Sequence, residues 1–372
     1  MIFRDMLCRG AQCAPAQQRD GHHAGAHCAP LQRFFVVLAV CLCFTLTACA
    51  PKPQELSTTI FAMDTVMELA VFHDGANEEL ERVLQDGVES LYACEGLFSA
   101  TKEGSDIHNI NTNGGEKTAI SPDTADVLEQ ALALCEKTGG ALDITARPAV
   151  TAWGFTTGAY RVVSGDECAE LAERIDYTAV ELEKGAVTLR EGMEIDLGAV
   201  AKGYVGDRLG EQFRTAGVTS ALLNLGQSTI AAIGTNPHGE PWRIGIQDPH
   251  GESYLGVLEL NDQAMGSSGN YQRFFEENGV KYGHILDPKT AAPVHNDLAG
   301  VTVVADSALY CDGLSTALFV MGLEDAAGFW RENRDFEAIF IGENGNITIT
   351  PGLQGSFRLQ IDQQNREVSV LE

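Results

Sequence analysis

The stretch "EIDLGAVAKGYVGDRL", residues 194–209, decides how the chain is read. Glu194–Leu197 is apolar and β-like, and a turn of Gly and Ala follows. An amphipathic segment, predicted helical from about Ala199 to Thr215, comes next. That order suits an anion. Gly198 lets a ligand approach the backbone closely, and amides at a helix start attract phosphate. Lys202 stands one turn further on, within reach of the same anion. No G-x-x-x-x-G-K-[ST] spacing is present, so this is not a Walker A loop. On these residues alone, a plain strand-to-helix turn with a solvated Lys202 reads equally well.

Upstream, "STTIFAMDTVMELAVF" (57–72) reads as a strand pair, and apolar spacing predicts a helix over 77–99. A second helix over 121–140 has Ser121 to cap it, Pro122 at its first position and Gly139 at its stop. A short helix (165–175) and a hairpin around Lys184-Gly185 follow. Downstream come the short strands "SALLNLG", "STIAAIG", "WRIGIQD" and "YLGVLEL". A hairpin over 271–287 turns at Asn278-Gly279, then a buried-looking strand (300–306) leads into an apolar helix (307–322). "EAIFIGENGNITIT" is a last hairpin. Helices mixed with hairpin-linked strands predict an α+β fold with largely antiparallel sheet, not a doubly wound one. No repeat or linker divides residues 57–372.

With 372 residues, 44% of them hydrophobic, the chain can bury a large core. A formal net charge of −27 argues against nucleic acid as a partner, because phosphate backbones need clustered Lys and Arg. Near the start, Arg33 precedes "FFVVLAVCLCFTLTAC", an apolar run too short for a comfortable membrane span. Its end, Leu46-Thr47-Ala48-Cys49, resembles a bacterial lipobox. Residues 1–48 are then a leader with a signal peptide, Cys49 is the lipidated residue, and 49–56 form a tether. An ordinary signal peptide or a short anchor helix is the other reading. Cys94, Cys135, Cys168 and Cys311 are widely spaced and read as buried free thiols.

Asp312 and Thr316 in "CDGLSTALF" are four apart on a predicted helix, so they share a face. A carboxylate and a hydroxyl spaced in this way suit a hard cation such as Mg²⁺. The alternative is an Asp placed for the helix dipole and a Thr bonded back to its own i−4 carbonyl. His284, beside Ile285 on a predicted strand, points a ring either into a cleft or into a satisfied structural role. Asp287 follows in a Pro-bounded turn.

In order, "MDTVMEL", "GALDITARPAVTAWGF", "IDLGAVAKGYVGD", "LLNLGQS", "SSGNYQRFF", "GHILDPKTAAPV" and "DGLSTALFVMG" resemble the ApbE family over about residues 57–350. The resemblance implies a two-lobed α+β fold of largely antiparallel sheets. It implies that FAD and Mg²⁺ share a cleft and that FMN passes to a Thr or Ser hydroxyl of another protein. The "IDLG-x-x-AKG" match makes Asp196 and Lys202 FAD contacts and the Ala199 carbonyl a metal ligand. The "D-x-x-x-T" match makes Asp312 and Thr316 the side-chain metal ligands. Met63, Ala141, Leu142, Asp143 and Ile285 match cofactor-contacting positions. His284 is the candidate base for the acceptor hydroxyl, with Asp287 second.

Two positions depart from the family pattern. Asp64 replaces a Gly after Met63, and Thr101 stands where an aromatic is common, leaving Phe98 or Tyr92 as substitutes. The family's acceptor pattern, D-x-x-[ST]-G-A-[ST], is matched only poorly, at Thr157-Gly158-Ala159-Tyr160 with Gly154 in place of Asp, so the acceptor is expected to be another chain. A membrane redox subunit or an exported flavoprotein is the acceptor the resemblance implies. With a lipid anchor, the site would lie at the extracytoplasmic face of a bacterial membrane. Hydrolysis of FAD to FMN and AMP, or flavin binding without catalysis, are the competing functions.

Overall fold

Alternation of exposed and buried positions builds the first two strands, β1 (Gln54–Ala62) and β2 (Thr65–His73). A two-residue turn joins them, with Met63 at φ 49° and Asp64 at φ 59°. Both central residues of such a hairpin turn take positive φ, and a short Asp side chain tolerates that where most residues do not. The computed structural model describes residues 54–73, 77–360 and 366–372. The predicted leader, Cys49 and the start of the tether lie outside these residues. The end of the tether does not: Gln54 already pairs with His73, so the strand begins three residues earlier than expected.

Seven more strands complete one sheet: β3 (Ser220–Leu225), β4 (Thr229–Gly234), β5 (Ala264–Gly269), β6 (Leu298–Ala305), β7 (Glu337–Gly342), β8 (Ile347–Ile349) and β9 (Val368–Val370). They lie side by side in chain order. Every neighbouring pair is antiparallel except β8–β9. The α+β class with largely antiparallel sheet is therefore present. Every residue of β6 is buried because both faces of the sheet are covered. Val301 and Val303 join the helix-covered core, and Val304 joins a second core beneath a small sheet of Trp242–Gln247, Tyr254–Leu260 and Phe357–Leu359.

The helix-covered face carries α1 (Asn77–Phe98), α2 (Pro122–Lys137), α3 (Ala201–Thr215) and α4 (Ala308–Glu332). As predicted, Ser121 caps α2 by accepting from the Thr124 amide, with Pro122 at its start. Ser307 caps α4 in the same way through the Tyr310 amide. Gly322, at φ 78°, interrupts α4 where the sequence predicted its end, and the chain then resumes helix. Cys94, Cys135, Cys168 and Cys311 are buried and unpaired.

Two local expectations change. Residues 194–197 do not form a strand; their backbone pairing is limited to one bridge, Ala146 to Glu194, and the Asp196 amide's 2.8 Å bond to the Ile144 carbonyl. The Asn111 side chain takes the place of a neighbouring strand. Its amide group donates to the Ile195 carbonyl and its oxygen accepts from the Ile195 amide, both at 2.8 Å. His284 likewise lies in a bend, between the strands Val280–Gly283 and Leu286–Asp287. The chain turns there because Gly283 sits directly against Asn270, where a Cβ would come within 2.0 Å of the side-chain oxygen.

α3 and α4 cross in backbone contact. A Cβ on Gly203 would lie 2.3 Å from the Ala308 carbonyl oxygen, and one on Gly206 3.1 Å from the Ala308 Cβ. On the sheet below, a Cβ on Gly266 of β5 would lie 2.4 Å from the Cys311 carbonyl. Asp207 of α3 closes the crossing, accepting from the Ser307 hydroxyl (2.7 Å) and the Ala308 (2.6 Å) and Leu309 (3.0 Å) amides. Gly203→Ala is therefore expected to cost about 3 kcal/mol or more. Gly328→Ala, on α4 with open space around it, is expected to stabilise by about 0.5–1 kcal/mol. Paired thermal melts check both signs.

Candidate active site

The crossing delivers Asp312 to a buried point, 5% exposed, among three donors. Thr229 of β4 donates to Oδ1 at 2.8 Å, and the Gly203 amide donates to Oδ2 at 3.1 Å. Lys202 Nζ lies 3.4 Å from Oδ2 and also 3.4 Å from the Gly198 carbonyl. The anion held at the start of α3 is thus the chain's own carboxylate, attracted there by the same free amides and dipole that would draw a phosphate. A single ammonium between a carboxylate and a backbone carbonyl marks a seat for positive charge. Oxygen donors of this kind, together with the Thr316 hydroxyl one turn along α4, match the chemistry of a hard divalent cation. No cluster of three His, Cys, Asp or Glu side chains suited to a metal occurs among the described residues.

Thr316 does not bond back to its own i−4 carbonyl. Its Oγ1 lies 3.0 Å from Ser268 Oγ of β5, and Ser315 takes the Asp312 carbonyl instead, at 2.9 Å. Around Gly313, a Cβ would meet Val200 at 3.0 Å and Leu142 at 3.1 Å. The 141–143 and 199–200 segments therefore pack against the turn of α4 that carries Asp312.

Asp196 belongs to a second group. Its Oδ1 accepts from the Gly198 amide at 2.7 Å, and its Oδ2 from Arg147 at 3.0 Å. Arg147 is itself buried, and also reaches Glu194 at 3.1 Å and the Ala100 carbonyl at 3.4 Å. Sequence reading gave no role to Arg147, Asp207 or Thr229. A lone Arg in the apolar run "DITARPAV" was the one available signal, since burial forces such a residue to find partners. Asp207 and Thr229 carry no local signal.

His284 Nδ1 lies 3.1 Å from the Arg273 carbonyl. A carbonyl only accepts, so Nδ1 carries the proton and Nε2 keeps its lone pair. Burial, then the positive charge of Arg273, push the ring down to about 4; the Arg273 carbonyl opposes this and Lys202 adds to it. Part of that burial comes from Phe155, edge-on at 6.4 Å, beside the stacked rings of Tyr160, Phe275 and Tyr282.

The remaining candidates are held by local contacts. Both Asp287 oxygens are engaged in its own turn, with the Lys289 amide and the Thr290 hydroxyl. The Asp143 carboxylate accepts from Thr145 and from the Tyr177 amide. Ile285 is buried, and the Met63 amide donates to Glu95 at 2.7 Å. Phe98 is buried edge-on against Tyr204, whereas Tyr92 is exposed.

Arg147→Met is expected to destabilise by about 1–2 kcal/mol, discounted because both carboxylate partners are over a third exposed. Arg147→Lys should recover only part, lacking the guanidinium fork; urea midpoints check this. For His284 the folded pKa is lowered, so the unfolded chain takes up the proton first. Its contribution to stability is complete above about 6.5 and is lost as pH falls toward 4. His284→Gln should flatten that decline in denaturation measured across the window.

A family model described as "ApbE family" matches residues 63–340. A protein of Haemophilus influenzae named FAD:protein FMN transferase is 33% identical over 334 residues, covering 84% of this chain and 94% of that protein. One of Treponema pallidum with the same name is 29% identical over 342 residues, covering 86% and 94%. The crystal structure of the ApbE protein of Thermotoga maritima superposes with a TM-score of 0.76 at 30% identity, covering 82% of this chain and all of that one. The flavin transferase ApbE of Vibrio cholerae gives 0.74 at 25% identity, covering 82% and 99%. With the family model matching residues 63–340 and a 33% identical relative covering 84% of it, the chain belongs to the ApbE family.

Proposed function

We propose that this chain is an enzyme that transfers FMN from FAD to a Thr or Ser hydroxyl of an acceptor protein, in a Mg²⁺-dependent reaction. The observation that carries this reading is the Lys202 ammonium held between the Asp312 carboxylate and the Gly198 carbonyl, in a chain whose relatives are named for that transfer. The acceptor oxygen bonds to the FMN phosphorus, the bond from that phosphorus to the bridging oxygen breaks, and AMP leaves. The product is a phosphoester. Asp312, Thr316 and the Ala199 carbonyl would hold the Mg²⁺, which when bound neutralises charge on phosphoryl oxygens.

The protein's own groups do the rest. Lys202 directs positive charge at the pyrophosphate, where charge builds as the bond breaks. Arg147 steadies Asp196, which fixes the Gly198 turn. His284 accepts the hydroxyl proton at Nε2. A pKa near 4 makes it a weak base, but a pyrophosphate beside it raises that value by favouring the charged ring. Met63, Ala141, Leu142, Asp143 and Ile285 line the flavin nucleotide in this reading. The acceptor carries a D-x-x-[ST]-G-A-[ST]-like motif and is a membrane redox subunit or exported flavoprotein. Cys49 bears the lipid that holds the enzyme at the extracytoplasmic face of the membrane.

Incubation with FAD, Mg²⁺ and an acceptor fragment tests the reading through in-gel flavin fluorescence. Fluorescent acceptor is the expected result, abolished by EDTA. Free FMN and AMP alone would make the chain a hydrolase, and intact FAD would make it a binding protein. Lys202→Ala and Asp312→Asn should each lower transfer by about 10²–10³-fold.

A further inference from the structure

Three hydroxyls run from β5 to α4 in a fixed direction. Ser315 Oγ lies 2.9 Å from the Asp312 carbonyl oxygen, an atom that only accepts, so Ser315 commits its proton there. Ser268 Oγ lies 2.8 Å from Ser315 Oγ, and with the Ser315 proton committed, Ser268 is the donor. Ser268 Oγ also lies 3.0 Å from Thr316 Oγ1, and with the Ser268 proton committed in turn, Thr316 donates. The chain is O–H of Thr316 to Ser268 to Ser315 to the Asp312 carbonyl. Every proton in it has one destination.

The consequence falls on Thr316. In a helix its hydroxyl would ordinarily swing back to the i−4 carbonyl, which here belongs to Asp312. The helical amide and Ser315 already fill that oxygen's two lone pairs. The Thr316 proton is drawn toward the sheet, and its lone pairs are left facing away from Ser268. We propose that Ser268 and Ser315 are positioning residues that hold Thr316 Oγ1 as a pure oxygen donor to the divalent cation. Ser315 is fully buried, so no water competes for its proton. Orientation of a ligand by its hydrogen-bond partner is a general way to tune a metal site.

This inference rests on the reading of Asp312 and Thr316 as cation ligands. Titration of the intact chain with Mn²⁺, with free Mn²⁺ followed by electron paramagnetic resonance, reads the site without turnover. Thr316→Val should weaken binding strongly, and Ser268→Ala by about tenfold. Ser268→Thr, which keeps a hydroxyl, should return the affinity to within about twofold of the original. Thermal melts confirm that each variant is folded. Unchanged affinity in Thr316→Val would overturn the ligand reading itself. A loss in Thr316→Val with none in Ser268→Ala would overturn the relay alone. A loss in Ser268→Ala that Ser268→Thr does not recover would do the same, because the effect would then be packing and not proton direction.

Discussion

A carboxylate buried where two helices cross a sheet must be surrounded by donors, or the charge would not stay there. Asp312 meets that condition with a strand hydroxyl, a helix-start amide and an ammonium. Each donor comes from a different part of the chain, so meeting it ties together β4, the 198–203 turn and α4. The backbones must also come close enough to leave no side chain between them. Gly203, Gly206 and Gly266 supply that closeness, and Asp207 locks it by capping α4 from α3. Displacing any of these elements would leave a buried charge without its partners.

The sheet makes this arrangement rigid. Its strands follow one another in chain order, with α1, α2 and α3 placed between β2 and β3 and α4 between β6 and β7. Cores on both faces hold it in place. Because side chains alternate along a strand, Ser268 of β5 faces α4, whereas Ser267 faces away and bonds Thr302. A slip of one residue in β5 would exchange them and remove the partner of Thr316. The position of one hydroxyl at the site is therefore set by the register of the whole sheet.

Electrostatics at the site run against those of the molecule. The chain carries −27, yet His284 is held toward its neutral form, by burial first and then by the positive charges of Arg273 and Lys202. Local positive charge of this kind suits an anionic ligand, and burial strengthens its effect by excluding water. Arg273 acts on the ring twice: its carbonyl accepts from Nδ1, and its guanidinium adds to the burial that lowers the ring's pKa.

Element types were legible in the sequence because alternation and helical spacing are local properties. The opening strand pair, the Ser121 cap and the hairpin at Asn278-Gly279 all lie where the residues indicate. The family was legible too, through the order of short motifs, and with it the placing of Lys202 and Asp312 in one site, although they stand 110 positions apart. Three things were not legible. Residues 194–197 look like a strand, but the Asn111 side chain takes the hydrogen bonds a strand would need. Asp207, Thr229 and Ser268 show no local pattern, because each acts on a partner that is distant in the chain. Proton direction along the hydroxyls depends on which oxygens lie within 3.0 Å of one another. By itself the sequence determined the elements, the family and the chemical types at the site. Only the tertiary structure decided which donors satisfy Asp312 and where the Thr316 proton points. Burial is a property of the packed chain, and it is burial that forces every polar group to find its partner.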